Sequence, residues 1–420
     1  MDKFIIEGGR ELNGVVEISG AKNAALPLLA ATLLTTEPCT LRNVPDLRDI
    51  RTMRALLSEL GVEVEQTGTK VQCQTRNESL IEAPYDLVRQ MRASFCVLGP
   101  LLARRGKAKV SLPGGCVIGL RPIDLHIKGL RALGAEIKIE HGYIMAETKG
   151  LRGADIYLGG AFGSTVTGTA NVLMAAVLAE GITTIENAAC EPEIADLAAF
   201  LSAMGAKISG AGTPTLVIEG VTALGGCDYE VVPDRIEAAT FILAALITRG
   251  DIAIKGARLK HLRAVVDKLA GIGAHVYEEN GLVRVKRGER LASTDVTTLP
   301  YPGFPTDIQA QLITALALAD GISVVTEKIY PDRFMHVAEL NRMGAQIRKE
   351  GPTAIILGQK ELSGAQVMAS DLRASAALVL AGLVATGNTE ILRVYHIDRG
   401  YDGIEKKLRA LGAVIERVQE

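Results

Sequence analysis

The segment 111–125 reads Ser-Leu-Pro-Gly-Gly-Cys-Val-Ile-Gly-Leu-Arg-Pro-Ile-Asp-Leu and carries one thiol and one cation, Cys116 and Arg121. Pro113, Gly114, Gly115 and Gly119 interrupt any helix or strand, so the spacing predicts a loop. Glycines beside a cysteine leave its sulfur unshielded. A nearby guanidinium favours the thiolate and also suits an anionic substrate. The competing interpretation is a chance cysteine on a surface loop, since free cysteine is commonly a small buried hydrophobe. The loop alone leaves both open.

Further chemistry collects where apolar helices are predicted to begin. Lys22-Asn23 opens the first such helix and Met91-Arg92-Ala93-Ser94 the second. Later ones open with acids: Pro233-Asp234-Arg235, Thr306-Asp307-Ile308 and Ser370-Asp371-Leu372-Arg373. Aspartate is a favoured N-cap and complements the helix dipole, so capping explains each acid taken singly. The asymmetry between the halves says more. If these helix ends face one cleft, one wall offers Lys22, Arg92 and Arg121, and the other offers three carboxylates with Arg373 and Arg399 beside them. Helix N-termini themselves favour anions. Such a site suits a small polyanion held by cations while a carboxylate takes a proton from its reaction partner. Glu191 and Glu193, on either side of Pro192, either orient such cations or are solvated. His336 reads as structural. No Walker loop, Ser/His/Asp order or dinucleotide fingerprint is present.

These residues ride on a repeated unit. An apolar residue, Gly, usually Ala, a variable residue and then Val or Ile recur, with the glycine at 61, 134, 205, 273, 344 and 412, a nearly constant interval. Each motif reads as a helix closed by a glycine C-cap and followed by a strand, for example a helix over 47–60 and a strand from 62. Upstream in each unit lies an Ala/Leu/Val-rich helix, over 21–34, 92–103, 170–179, 235–248, 308–319 and 373–385. Helices apolar nearly all round are expected inside, with strands outside them. Six units of about 70 residues group most naturally into two α/β domains of three, divided near Val231–Pro233. Residues 4–18 alternate as a strand pair.

Composition narrows the function. The chain has 420 residues, 48% of them hydrophobic, with a formal net charge of −2. That near balance argues against a nucleic-acid or membrane-surface partner. The N-terminus shows no signal-peptide pattern, which points to the cytoplasm. The six cysteines lack C-x-x-C spacing, so neither a disulfide framework nor a zinc site is expected.

With these residues in view, the sequence resembles the UDP-N-acetylglucosamine 1-carboxyvinyltransferase family of enolpyruvyl transferases. The resemblance runs from Ile18-Ser-Gly-Ala-Lys-Asn-Ala-Ala-Leu-Pro27 to His396-Ile-Asp-Arg-Gly-Tyr401. Between them it includes Gly114-Gly-Cys116, Arg121-Pro-Ile-Asp-Leu125, Glu186-Asn-Ala-Ala189, Pro233-Asp-Arg-Ile-Glu237, Phe304-Pro-Thr-Asp307 and Asp371-Leu-Arg-Ala-Ser375. It implies two inside-out α/β barrel domains, each of three repeats, with the active site in the cleft between them. Residues 22–232 would form the first, and 1–21 plus 233–420 the second. The implied reaction moves enolpyruvate from phosphoenolpyruvate to the 3-hydroxyl of UDP-N-acetylglucosamine and releases phosphate, with no metal or other cofactor and no obligate protein partner. It opens bacterial peptidoglycan synthesis.

Carried over residue by residue, Cys116 would protonate the methylene carbon of phosphoenolpyruvate, and is where fosfomycin attacks. Asp307 would accept the sugar hydroxyl's proton. Lys22, Arg92, Arg121 and Arg399 would hold phosphate and carboxylate, with Asn23, Asp371 and Arg373 in support. Arg121, Pro122, Ile123, Asp124, Leu125, Asp307 and Ile329 would contact the UDP-sugar. Familiar members also carry a lysine near the diphosphate, just before a Ser-Val-Gly-Ala-Thr-x-Asn stretch. Here the stretch is Thr165-Val-Thr-Gly-Thr-Ala-Asn171, and 159–164 contains no Lys or Arg. Backbone N–H groups and the hydroxyls of Ser164 and Thr165 are the substitute expected. The shikimate-pathway enolpyruvyl transferases share the fold, but the Gly-Gly-Cys loop and the Arg-Pro-Ile-Asp-Leu segment point away from them. A non-catalytic scaffold or sugar-nucleotide sensor would have no need of Cys116 or the acids.

Overall fold

The computed structural model describes residues 2–112, 123–161, 163–288 and 290–419. They form two compact units, residues 20–112 with 123–232, and residues 2–19 with 233–419. Gly20 and Ala21, expected with the second of these, pack with the first. A Cβ on Gly20 would lie 1.7 Å from Asn43 O, and the Ala21 N–H donates to Val232 O at 2.7 Å.

Each unit carries three four-stranded sheets of one strand pattern: a parallel edge strand, the strand that follows an apolar helix, and then two further antiparallel strands, which form a hairpin in every sheet but the one holding Asp2–Glu7. In the first unit, Asp155–Tyr157 runs parallel to Ile182–Glu186, which pairs antiparallel with Thr215–Glu219, and that strand with Lys207–Ser209. The sheets close by borrowing strands from far along the chain. Asp228–Glu230 is the parallel edge beside Cys39–Arg42.

Borrowing also overturns one expectation. Residues 4–18 do hold two strands, Asp2–Glu7 and Asn13–Glu17, but they do not pair with each other. Asp2–Glu7 takes the third position of one sheet, between Asn388–Leu392 and Val414–Gln419. Asn13–Glu17 is the parallel edge beside Asp251–Lys255. Phe4 and Ile6 drop into the core from the first strand and Val16 alone from the second, so each follows its own sheet.

Two kinds of helix support the sheets. Arg235–Thr248 and Leu372–Val384 are buried almost all round and pack on each other and on Gln309–Leu316 at the centre of their unit. Lys22–Ala31 and Val166–Ala176 are interior to the other unit. Arg48–Glu59, by contrast, buries one face through Ile50, Met53, Leu56 and Leu57. The repeated glycines after the one-faced helices all have φ between +81° and +106°, the left-handed C-cap in which a side chain is strained.

One predicted helix is split. Over 92–103 the chain makes a 3₁₀ stretch, Arg92–Val97, and then the α-helix Leu98–Arg105. The Asn171 amide inserts at the join, its Nδ2 donating to Phe95 O at 2.9 Å while its Oδ1 accepts from the Gly99 N–H at 2.8 Å. These are the two groups an unbroken helix would have bonded to each other, so the inserted amide holds them apart and splits the helix there. Among the described residues no helix is long and apolar enough to cross a membrane.

Candidate active site

In the first unit, Lys22 is the first residue of Lys22–Ala31, where the missing preceding turn leaves N–H groups directed outward. Its Nζ pairs with Asp49 Oδ2 at 3.1 Å, and both side chains are nearly buried. Asp49 escaped the sequence reading because it sits on the next helix, with a strand between the partners. Asn23, beside Lys22, is exposed. Arg92 opens the 3₁₀ stretch and is half-buried.

Asp124 starts the helix Asp124–Ala132 and is exposed, flanked by half-buried Ile123 and Leu125. His126, next in line, is buried. Its Nδ1 lies 2.9 Å from Asn171 Nδ2 and its Nε2 3.1 Å from Thr167 Oγ1. Because the amide nitrogen can only donate, Nδ1 accepts and Nε2 carries the proton. Burial, helped by the Arg92 charge, lowers the ring's pKa to about 3, so the imidazole is neutral. One side chain thus ties the helix bearing Asp124 and Leu125 to the helix that begins beside Thr165.

Ser164 lies in a short hairpin, paired with Gly159. Thr165 caps Val166–Ala176, its Oγ1 accepting from the Gly168 N–H at 3.2 Å. That oxygen is therefore engaged, while the hydroxyl proton and the first N–H groups of the helix are the anion-seeking features here. The strand entering this hairpin receives a cation that the sequence reading missed: Lys128 Nζ donates to Tyr157 O at 2.7 Å.

In the second unit the three acids separate. Asp234 accepts from the Ile236 and Glu237 N–H groups, and Asp371 from those of Arg373 and Ala374, so both are N-caps. Asp307 is no cap. It lies in the 3₁₀ turn Thr306–Ile308, and its carboxylate is clamped by two guanidiniums, Arg333 Nη1 at 2.8 Å from Oδ1 and Arg373 Nη2 at 3.0 Å from Oδ2. Burial opposes the charge, but Arg373 and Arg333 overcome it and hold the carboxyl well below the usual range.

Arg373 is itself braced. Its Nη1 donates to Tyr401 Oη at 3.4 Å; Tyr401 also lies 2.8 Å from Thr240 Oγ1 and accepts from Gln311 Nε2 at 3.2 Å. Gln311 Nε2 reaches back to Asp307 O at 3.0 Å, which closes the ring.

Arg333 was a missed residue. It stands three residues before His336, with no local signal for this role, and His336 is buried at the start of His336–Arg342. Ile329 is half-buried, with its N–H donated to Glu327 Oε1 at 2.8 Å. Arg399 ends the 3₁₀ stretch Val394–Arg399 and is half-buried; the neighbouring Asp398 pairs with Arg417. Glu193 is only 3% exposed, which rules out the solvated reading for it. Cys116, Arg121 and Pro122 lie outside the described residues.

The whole arrangement has close relatives. Residues 6–408 match the family model for EPSP synthase (3-phosphoshikimate 1-carboxyvinyltransferase). The UDP-N-acetylglucosamine 1-carboxyvinyltransferase of Desulfosudis oleivorans is 56% identical over 418 residues, spanning 100% of both chains. That of Geobacter metallireducens is 56% identical over 420 residues, again 100% of both. The chain belongs to the EPSP synthase family and, within it, to the UDP-N-acetylglucosamine 1-carboxyvinyltransferase group. Among solved structures, the enolpyruvyl transferase NikO from Streptomyces tendae superposes with a TM-score of 0.90 at 23% identity, covering 100% of this chain and 99% of that one. EPSP synthase from Acinetobacter baumannii gives 0.75 at 19% identity, with both chains fully covered. The fold is therefore the two-domain fold of EPSP synthase.

Proposed function

We propose that this protein transfers the enolpyruvyl group of phosphoenolpyruvate to the 3-hydroxyl of UDP-N-acetylglucosamine and releases phosphate, acting in the cytoplasm at the first committed step of peptidoglycan synthesis. The observation that carries the reading is the end-to-end identity with relatives bearing that activity's name. The chemistry runs in two halves. The Cys116 thiol gives its proton to C3 of phosphoenolpyruvate, which leaves C2 as an oxocarbenium-like centre. The sugar hydroxyl attacks C2 and its proton passes to Asp307, forming a phosphate-bearing ketal. The Cys116 thiolate left by the first step then takes a proton back from C3, and the electron pair restores the C2–C3 double bond as the C2–O bond to phosphate breaks.

Asp307 clamped by two guanidiniums is a weak base, and the order of events accommodates that. A hydroxyl that has begun to bond to C2 is an oxonium and far more acidic than the free alcohol, so a low-pKa carboxylate suffices. Its fixed negative charge also stabilises the cationic centre. Lys22, Arg92, Arg121 and Arg399 would hold phosphate and carboxylate, with Asn23, Asp371 and Arg373 in support, and Lys22 and Arg399 would also neutralise the departing phosphate. Arg121 through Leu125, with Ile329, would contact the nucleotide sugar. For the diphosphate, Ser164, the Thr165 hydroxyl and the N-terminus of Val166–Ala176 are assigned, with Lys128 as the nearby cation.

The test is phosphate release from phosphoenolpyruvate with either UDP-N-acetylglucosamine or shikimate 3-phosphate as acceptor, for the wild type and Cys116→Ser. Turnover with the UDP-sugar alone, slowed or lost in the variant, is the expected result. Turnover with shikimate 3-phosphate would move the chain to the activity named in the family model's description.

A further inference from the structure

Glu327 follows the strand Ile322–Thr326 and is 0% exposed, yet among the described residues it forms no ion pair. Four donors surround it instead. Thr298 Oγ1 at 2.7 Å and the N–H groups of Ile329 and Tyr330 at 2.8 and 2.9 Å reach Oε1, and Thr306 Oγ1 at 2.9 Å reaches Oε2. Both hydroxyls have their directions set, because Thr298 Oγ1 accepts from the Lys328 N–H and Thr306 Oγ1 from Arg333 Nη1, each at 3.0 Å. Their protons therefore point at the carboxylate. A site made only of donors calls for a group with only acceptors, and a glutamine amide would set its NH₂ against one of them. Burying such an anion is costly, and the four donors offset that cost only with the carboxylate held in this one orientation.

Two arms leave this carboxylate and both end on Arg333. One runs through the Thr306 hydroxyl to Arg333 Nη1, the nitrogen that also lies 2.8 Å from Asp307 Oδ1. The other fixes the Tyr330 backbone, and the Arg333 guanidinium lies over the Tyr330 ring, 5.7 Å from its centroid. The Ile329 N–H is held by the same oxygen, so the turn 327–330 is set with it. We propose that Glu327 is a positioning residue for the transfer reaction: through Thr306 and Tyr330 it fixes Arg333, and Arg333 in turn aims Asp307 at the sugar hydroxyl. This rests on the reading that Asp307 is the proton acceptor.

The experiment measures kcat, KM for both substrates and the pH profile of kcat for the wild type, Glu327→Gln, Thr306→Val, Thr306→Ser and the double variant Glu327→Gln/Thr306→Val, with a thermal melt of each. Misplacing a reacting group by about 1 Å costs of order a hundredfold in rate. Glu327→Gln and Thr306→Val are therefore expected to lose about 10- to 100-fold in kcat while KM changes only a few-fold. Thr306→Ser, which keeps the hydroxyl, retains most of the rate. The double variant is no slower than the worse single, because both act on one chain of bonds. In Glu327→Gln the acid limb of kcat moves up in pH as Arg333 loosens from Asp307, a change that lowered stability alone does not produce.

A Glu327→Gln kcat within about threefold of wild type with the acid limb in place would overturn the proposal. So would losses that multiply in the double variant. If Glu327→Gln does not fold, the Thr306 pair decides by the same measures. A wild type that turns over no UDP-N-acetylglucosamine defeats the functional reading, not this inference alone, and the two failures are told apart in one assay.

Discussion

Replacing Asp307 by asparagine keeps its shape and removes its charge, and the consequence follows from the two guanidiniums that clamp it. Arg333 and Arg373 side chains are 7% and 4% exposed, against 25% for Asp307. Asp307→Asn leaves two nearly dry cations facing each other with no anion between them. Removing one partner of a buried pair costs about 3–5 kcal/mol, and water at a quarter of this carboxylate points to the lower end, about 3 kcal/mol. In domains of this size each kcal/mol shifts Tm by about 2–4 °C, so the unit holding Asp307 should melt roughly 6–12 °C lower. The carboxyl is held below its ordinary value, so its contribution is complete above about pH 4 and fades as pH falls through the folded value. The gap between wild type and variant is therefore constant from pH 5 to 8 and narrows in stronger acid. Calorimetric melts across that range measure it, and kcat collapses in parallel. Adding Arg333→Met to Asp307→Asn removes a stranded cation and should recover part of the lost stability. A Tm shift under about 2 °C, or a second substitution whose cost simply adds to the first, would refute the clamp.

Two more expectations follow from buried groups and strained backbone. Burial lowers His126 to about 3 and His336 to about 4, whereas the unfolded chain protonates its histidines near 6.5. Stability is then full above about pH 6.5 and falls below it, by about 1.4 kcal/mol per pH unit for each ring until its folded value is reached, so urea midpoints at pH 7.5 and 5.5 should differ clearly; equal midpoints contradict it. Gly61 and Gly134 both cap helices at positive φ, but a Cβ on Gly61 would meet Asn77 O at 2.3 Å while one on Gly134 meets nothing within 4 Å. Gly134→Ala should cost about 1 kcal/mol and Gly61→Ala distinctly more, checked by chemical denaturation.

What local chemistry dictates was legible without the structure. Glycine closing a helix, apolar residues all round a helix and aspartate before one act within a turn or two, so the six repeats, the interior helices and the Asp234 and Asp371 caps could be read from residue type and spacing alone. Asp307 had the same local signature as those two caps and a different fate. Its partners, Arg333 and Arg373, belong to later elements of the chain, and no pattern around Thr306-Asp307-Ile308 announces them.

The remaining decisions were tertiary for the same reason. Lys22 finds Asp49, Asn171 inserts beside Phe95 and Gly99, and Glu327 reaches Arg333 through Thr306 only once the repeats have packed. The strands at 2–7 and 13–17 alternate as any hairpin would, yet each pairs with a strand from the far half of the chain, because a sheet edge is satisfied by whichever backbone is brought beside it. The sequence by itself determined which residues could be acids, cations, caps and turns. Packing alone decided which carboxylate stays uncapped between two guanidiniums, since a buried charge takes its character from neighbours in space and not along the chain.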